Sequence, residues 1–116
     1  MRQITYIPQL CNEAGELIFQ GKIILNALKY AERMNLIKDV NFKVKENSVE
    51  LNTDQIDSIV KIIEVAEKHV VSVDLIRLSD QVEFKCFDDL SYDKDGSLLI
   101  NELGNVILSG VKLGKQ

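Results

Sequence analysis

Residues 54–70, DQIDSIVKIIEVAEKHV, carry the strongest helical pattern in the chain and constrain its fold the most. At about 100° per residue, their apolar side chains fall into one continuous arc, with charged side chains on the opposite side. That arc is wider than the roughly 100° apolar stripe of an ordinary surface helix. We therefore expect a helix at the centre of the core that is covered on more than one side, either by sheet on two sides or in part by a second copy of the chain. The arc contains Ile56, Ile59, Ile62, Ile63, Val65, Ala66, His69 and Val70, with Val60 just beyond it.

A second helix is predicted over residues 22–36, KIILNALKYAERMNL. Its apolar residues share one face, and Lys22, Lys29, Glu32 and Arg33 share the other, as in a one-sided amphipathic helix. Because its polar arc is the wider of the two, we expect this helix to be more exposed than residues 54–70.

The remaining segments alternate apolar and polar residues between turn residues, which is typical of β-hairpins. Residues 3–10 contain Pro8, which favours an edge strand, and a turn at residues 12–15 leads to a return strand at residues 17–19. Three further hairpins are predicted: 42–45 with 49–51, 71–78 with 82–87, and 98–100 with 106–108 around a turn at 101–104.

Two internal similarities indicate repeated units. Residues 12–21 and 101–110 both follow the pattern Asn-Glu-x-Gly, one polar residue, three apolar residues, one polar residue, Gly. Residues 31–33, Ala-Glu-Arg, also match residues 66–68, Ala-Glu-Lys, at a spacing of 35. Tandem ββα units are one interpretation of the first half, and chance similarity between two amphipathic helices is the other.

These patterns predict a single α+β domain over residues 1–116, with two amphipathic helices packed on antiparallel β-hairpins. Tandem ββα units followed by a C-terminal β-meander are the arrangement that the repeats favour. A hydrophobic content of 46% and a charged content of 28% are typical of a globular chain.

The net charge of −4 is concentrated in residues 74–102, which hold eight acidic and three basic residues. We expect no nucleic-acid binding, because the sequence has no Lys/Arg patch. We also expect no membrane segment, because no apolar run approaches about 18 residues. Cys11 and Cys86 do not make the framework of a secreted disulfide protein, which favours a cytoplasmic chain with reduced thiols.

The acidic stretch from Ser91 to Glu102 partly resembles the calcium-binding loop of the EF-hand family. Asp93, Asp95 and Glu102 stand at the third, fifth and twelfth positions of that loop, and Ser97 stands at the seventh. The resemblance implies a calcium-binding module with Asp93, Asp95, Ser97 and Glu102 as ligands. The stretch departs from the family where Ser91 replaces the first Asp and an apolar residue occupies the ninth position. A solvated loop, with Glu102 in a hairpin turn, is the alternative interpretation.

The sequence offers few groups for catalysis. His69 is the one histidine, and it stands at the end of a predicted helix, where a structural role is usual. Neither Cys11 nor Cys86 has a basic neighbour or a helix N-terminus to activate its thiol. We therefore predict no catalytic residue, no cofactor and no enzymatic activity.

These observations favour a small protein that acts through protein–protein contacts, as an adaptor, an inhibitor or a structural component. Its acidic residues either face a basic partner surface or form a solvated turn, and its hairpin edges favour a homo-oligomer. A calcium-binding module, or a small-ligand binder with a pocket between sheet and helix, are the alternatives. The acidic residues in question are Asp88, Asp89, Asp93 and Asp95.

Overall fold

Ten secondary-structure elements follow one another in the computed structural model, which describes residues 2–40, 43–45, 48–50 and 56–110, with side chains for 2–38 and 59–110. They are β1 (Arg2–Tyr6), β2 (Phe19–Ala27), α1 (Tyr30–Val40), β3 (Lys43–Lys45), β4 (Ser48–Glu50), α2 (Ile56–His69), β5 (Val70–Arg77), β6 (Glu83–Phe84), α3 (Phe87–Ser91) and α4 (Lys94–Ser109).

A four-stranded antiparallel sheet in the order β1-β2-β5-β6 forms one layer, and β3 and β4 form a separate two-stranded hairpin. Residues on one face of the large sheet, among them Ile23, Leu25 and Leu75, are buried in a common core with residues of α2 and α4. The opposite face is polar. There Lys85 Nζ binds Asp74 at 2.6 Å between exposed side chains. The predicted α+β class is therefore confirmed.

The helix predicted over residues 54–70 is present as α2 and is the more buried of the two predicted helices. Its buried side chains are Ile62, Val65, Ala66 and His69, whereas α1 buries Ile37. The described elements that contact α2 are α4, α1 and β2. The buried face is nevertheless narrower than the apolar arc, because Val60 and Ile63 are exposed, and cover of this part by a second copy of the chain stays a prediction.

The helix predicted over residues 22–36 is wrong in its first half, because residues 22–27 continue β2 and α1 begins at Tyr30. Within β2 the buried residues Ile23 and Leu25 alternate with more exposed neighbours. This strand is central, paired with β1 on one side and β5 on the other, so both of its edges find hydrogen-bond partners. Those tertiary contacts outweigh the helical spacing of its apolar residues.

The predicted C-terminal β-meander is also wrong. Residues 98–108 lie in α4, whose buried Leu99, Ile100, Leu103, Ile107 and Leu108 recur at helical spacing. Residues 87–91, for which no helix was predicted, form the short helix α3, and the strand predicted at 82–87 is reduced to Glu83–Phe84. None of the described helices is both long and apolar enough to cross a membrane.

The order ββα-ββα is present in the first half, but the two units are not structurally equivalent. The first hairpin belongs to the large sheet, whereas β3 and β4, at the hairpin predicted from 42–45 and 49–51, pair only with each other among the described strands. Phe42 and Leu51, at the ends of that predicted hairpin, lie outside the described residues.

Candidate functional site

A cleft of about 480 Å³ opens between the loop after β1, the end of β5 and the first turn of α4. Five of its seven lining residues are exposed, so the cleft is a surface feature rather than an enclosed cavity. None of the seven is basic, and two are carboxylates. The lining residues are Asn12, Glu16, Leu17, Ile18, Leu78, Ser79 and Asp95.

The first wall is built by a turn around Asn12. The Asn12 side-chain oxygen accepts hydrogen bonds from Ala14 N at 2.9 Å and from Glu16 N at 3.0 Å. Gly15 has a φ of +81°, a conformation that side-chain-bearing residues rarely adopt. This turn was predicted at residues 12–15 and is confirmed. It holds Glu16 and Leu17 at the mouth of the cleft, where Leu17 is 44% exposed.

The second wall is fixed by Arg77, the last residue of β5, whose side chain is only 15% exposed. Its Nη1 donates to both carboxylate oxygens of Asp93 at 2.8 and 2.7 Å, and to Asp95 Oδ2 at 3.2 Å. Its Nε and Nη2 donate to Asp80 in the following turn. The guanidinium also lies over the Phe84 ring, 5.4 Å from its centroid. Arg77 therefore ties the β5–β6 turn to the start of α4.

Asp93 is the N-cap of α4, where its carboxylate accepts a hydrogen bond from Gly96 N at 3.0 Å. Burial opposes ionisation of this carboxyl, but the hydrogen bonds from Arg77 and Gly96 outweigh it and lower its pKa below the ordinary value. Hydrogen bonds to Asp80 and Asp93 raise the pKa of Arg77 above its already high value. The cluster is thus held together by charges that persist across the physiological pH range.

The four residues predicted as calcium ligands are not gathered around one point. Asp93 and Asp95 share Arg77, and Ser97 donates its hydroxyl to Asp93 O at 2.8 Å. Glu102 lies nine residues after Asp93, about 13 Å along the helix axis. It accepts hydrogen bonds from Tyr6 OH at 2.5 Å and from Gln9 N at 2.9 Å. Calcium binding stays a prediction, and the guanidinium occupies the place between the two aspartates.

Glu102 has a structural task in this arrangement. It anchors the segment after β1 to α4 through Tyr6 and Gln9, and it thereby positions the loop that carries the first wall of the cleft. Burial, followed by the hydrogen bond to Glu102, raises the pKa of Tyr6 far above its ordinary value, so the phenol remains the proton donor.

The acidic residues predicted to face a basic partner lie in different settings. Asp93 and Asp95 are paired with Arg77, while Asp89 accepts a hydrogen bond from Lys85 N at 2.8 Å. Asp88 is exposed in the first turn of α3. Only Asp95 of the four lines the cleft.

His69 ends α2 and is 5% exposed, with no hydrogen-bond partner for Nδ1 among the described residues. Burial lowers its pKa, and Lys68 lowers it further, against the smaller opposing effect of Glu32. Cys11 and Cys86 are both free and exposed. The expectation that Cys86 has no helix N-terminus beside it is wrong, because Cys86 is the N-cap of the short helix α3. Over the described part of the chain, no group of three or more His, Cys, Asp or Glu residues is arranged to hold a metal ion.

Sequence reasoning missed Arg77, Glu16 and Leu78 as functional residues. Arg77 lies within the strand predicted at 71–78, so it was not considered as a site residue. Its position near the end of that strand, just before an acid-rich segment, is the only local indication of an ionic cluster. Glu16 and Leu78 come together only when β2 and β5 pair, which brings Ile18 O within 3.0 Å of Leu78 N.

Comparison with known proteins does not assign the chain to a family. No family model matches the chain, and neither the curated proteins nor the solved structures gave a significant match.

Proposed function

We propose that the chain acts through protein–protein contacts, as an adaptor, inhibitor or structural component without enzymatic activity, and that the cleft is its binding site. The partner segment carries an apolar side chain next to a lysine or arginine. The observation that carries this proposal is the lining of the cleft, which combines two exposed leucines with two carboxylates.

The apolar part of the site supplies affinity. Leu17 is 44% exposed and Leu78 is 41% exposed, and both line the cleft. Covering the exposed part of each leucine contributes about 1 kcal/mol, by proportion to the burial of a whole side chain. Two such contacts alone give weak binding, so the partner also needs polar interactions.

The carboxylates supply selectivity. Glu16 and Asp95 line the cleft, and Asp80 and Asp93 lie beside it around Arg77. Four carboxylates against one guanidinium leave this group negatively charged, which favours a basic side chain over an acidic one and raises the association rate at low salt.

A cleft of about 480 Å³ also falls in the size range of small-molecule sites. Small-molecule sites usually enclose most of their ligand. Five exposed lining residues favour a peptide segment lying in an open groove instead. A small-ligand binder is therefore the second candidate.

The test is an NMR titration of the isotope-labelled chain with two synthetic peptides that differ only in charge, one with lysines flanking leucine and one with glutamates. We expect the basic peptide alone to shift the amides of residues 12–18, 78–79 and 95, with affinity that falls as salt increases. Equal shifts from both peptides, or shifts elsewhere, contradict the proposal.

Glu16→Lys provides the matching variant, because the Glu16 side chain is exposed. The variant loses the 3.4 Å hydrogen bond from Asn12 Nδ2 to Glu16 Oε1, while the bonds from Ala14 N and Glu16 N to the Asn12 oxygen that form the turn remain. It is expected to abolish the preference for the basic peptide. Glu13→Lys is the control, since Glu13 belongs to the same turn and is exposed but does not line the cleft. A loss of binding in both variants would indicate a general charge effect rather than a site.

The proposed assembly of the working protein is a homo-oligomer. This part of the proposal is supported by the five-residue outer strand β1, which pairs on one side only within the described sheet.

A further inference from the structure

We propose that two copies of this chain join through the outer edges of β1, in antiparallel orientation, to form a continuous eight-stranded sheet. The inference specifies the self-association proposed above and does not depend on the cleft. Its basis is a difference between the two edges of the described sheet, together with the self-complementary sequence of β1.

The edge at β6 is short and covered. That strand has two residues, and the chain then turns into α3, whose Asp89 accepts a hydrogen bond from Lys85 N at 2.8 Å. The edge at β1 is different. All five residues of β1 pair with β2, and no described strand lies on the outer side. Such an edge presents unpaired backbone donors and acceptors to another chain.

The sequence Arg-Gln-Ile-Thr-Tyr of β1 can pair in antiparallel orientation with a second copy of itself without placing like charges opposite each other. In antiparallel pairing centred on Ile4, the two Ile4 side chains lie opposite each other. Arg2 then lies opposite the second copy's Tyr6, where guanidinium and ring can interact. Gln3 lies opposite the second copy's Thr5, and both can form hydrogen bonds.

Pairing of this kind also completes the core. Ile4 and Tyr6 are half-buried and pack against the core through the side of β1 that faces the helices. A second copy of β1 would cover the remaining exposed side of Ile4. Gln3 and Thr5 lie on the polar face of the sheet and are exposed, so they can be changed without disturbing the core.

Charge favours this edge and this orientation. Glu83, Asp88 and Asp89 lie in β6 and α3 at the opposite edge, about 14 Å from β1 at the usual strand spacing. Glu102 is the acidic side chain that reaches β1, where it accepts a hydrogen bond from Tyr6 OH. The one charge on β1 is Arg2 at its start. Antiparallel pairing places the two Arg2 residues at opposite ends of the interface, whereas parallel pairing would bring them together.

The test compares three double variants by sedimentation analysis over a wide range of concentration. Wild type is expected to reach a mass twice that of the 13.1 kDa chain. Gln3→Lys/Thr5→Lys places two pairs of like charges across the interface and is expected to raise the dimer dissociation constant about tenfold. Gln3→Lys/Thr5→Glu places opposite charges across an antiparallel interface and is expected to remain dimeric.

Mixing provides the decisive control. Gln3→Lys/Thr5→Lys and Gln3→Glu/Thr5→Glu are each expected to dimerise about tenfold more weakly alone than wild type and to dimerise with each other at least as tightly as wild type. Thermal melts of the separate variants verify that they fold. A wild type that stays monomeric at every concentration, or a dimer that all these variants leave unchanged, overturns the proposal. Neither result bears on the cleft, which is judged by the peptide titration.

Discussion

Gly104→Ala provides a direct measurement of how closely α2 and α4 approach. A methyl group added at Gly104 would lie 2.4 Å from Ile62 Cγ2 and 2.7 Å from Ile62 O. Ordinary contact requires more than 3 Å, and one obstacle is a backbone carbonyl, so the helices must separate. Overpacking of this kind costs about 1–3 kcal/mol. Even though alanine regains about 1 kcal/mol of helix propensity, we expect a net loss near 2 kcal/mol, because a backbone atom must move.

Urea unfolding followed by circular dichroism measures this loss as a lower midpoint at unchanged slope. A thermal melt should show a decrease in Tm of roughly 8 °C for a chain of this size. In the Ile62→Ala background the methyl clash with Cγ2 disappears while the carbonyl remains, so the cost of Gly104→Ala should fall by about 1 kcal/mol. Leu98→Ala, on the exposed side of α4, serves as the control. If Gly104→Ala is as stable as wild type, the reasoning about helix approach is wrong.

Three further predictions follow from buried or paired polar groups. The stability of the fold should decrease as pH falls from about 7 to about 5, because unfolded His69 takes up a proton at its ordinary pKa while burial lowers the folded pKa. In urea titrations His69→Gln should remove this dependence over that range, whereas the loss at lower pH remains, because the lowered pKa values of Asp80 and Asp93 cause it. Tyr6→Phe should cost about 1.5 kcal/mol by deleting the hydrogen bond to Glu102, whereas equal stability of the two proteins would show that this bond contributes nothing. Calcium should give the same Tm as chelator, because Asp93 is already paired with Arg77. A Tm that rises with calcium concentration would contradict this expectation and support calcium binding by the EF-hand-like stretch.

The sequence predicted a structural element correctly where its local residue pattern matches the conformation that the backbone adopts. The turn at Asn12 was predictable because an asparagine oxygen and a glycine at positive φ are both required there. Helix α2 was predictable because four buried residues recur at helical spacing over about two turns. The width of its buried face was not predictable, because the helical spacing of apolar residues does not show which other elements pack against the helix.

Residues 22–27 illustrate the opposite case. Ile23, Ile24 and Leu25 fit either an apolar helix face or a central strand, because short apolar runs do not distinguish the two. The strand is selected by partners that lie far away in the chain, β1 before it and β5 after it. Gly21 also approaches the backbone of Asp74 so closely that a side chain would not fit. The pairing of the two strands therefore requires glycine at this position, but the sequence alone does not reveal that requirement.

The candidate site was less predictable than the fold. The acidic residues were identified, but their pairing with Arg77 depends on the end of β5 reaching the start of α4. The leucines of the cleft stand 61 positions apart in sequence and meet only through strand pairing. Composition thus predicted a negatively charged surface, while the apolar contacts that would give a partner its affinity became visible only with the structure.

The repeated Asn-Glu-x-Gly pattern shows how one short sequence serves two conformations. In the first copy, Asn12 caps its own turn and Gly15 takes a positive φ. In the second copy, Asn101 lies inside α4 and its carbonyl accepts a hydrogen bond from the Asn105 side chain. The flanking residues decide between them. Pro8 hinders a helix upstream of the first copy, whereas Asp93 caps a helix upstream of the second. Glycine permits both outcomes for different reasons, a left-handed turn at Gly15 and a close helix contact at Gly104, so identical letters do not establish a structural repeat.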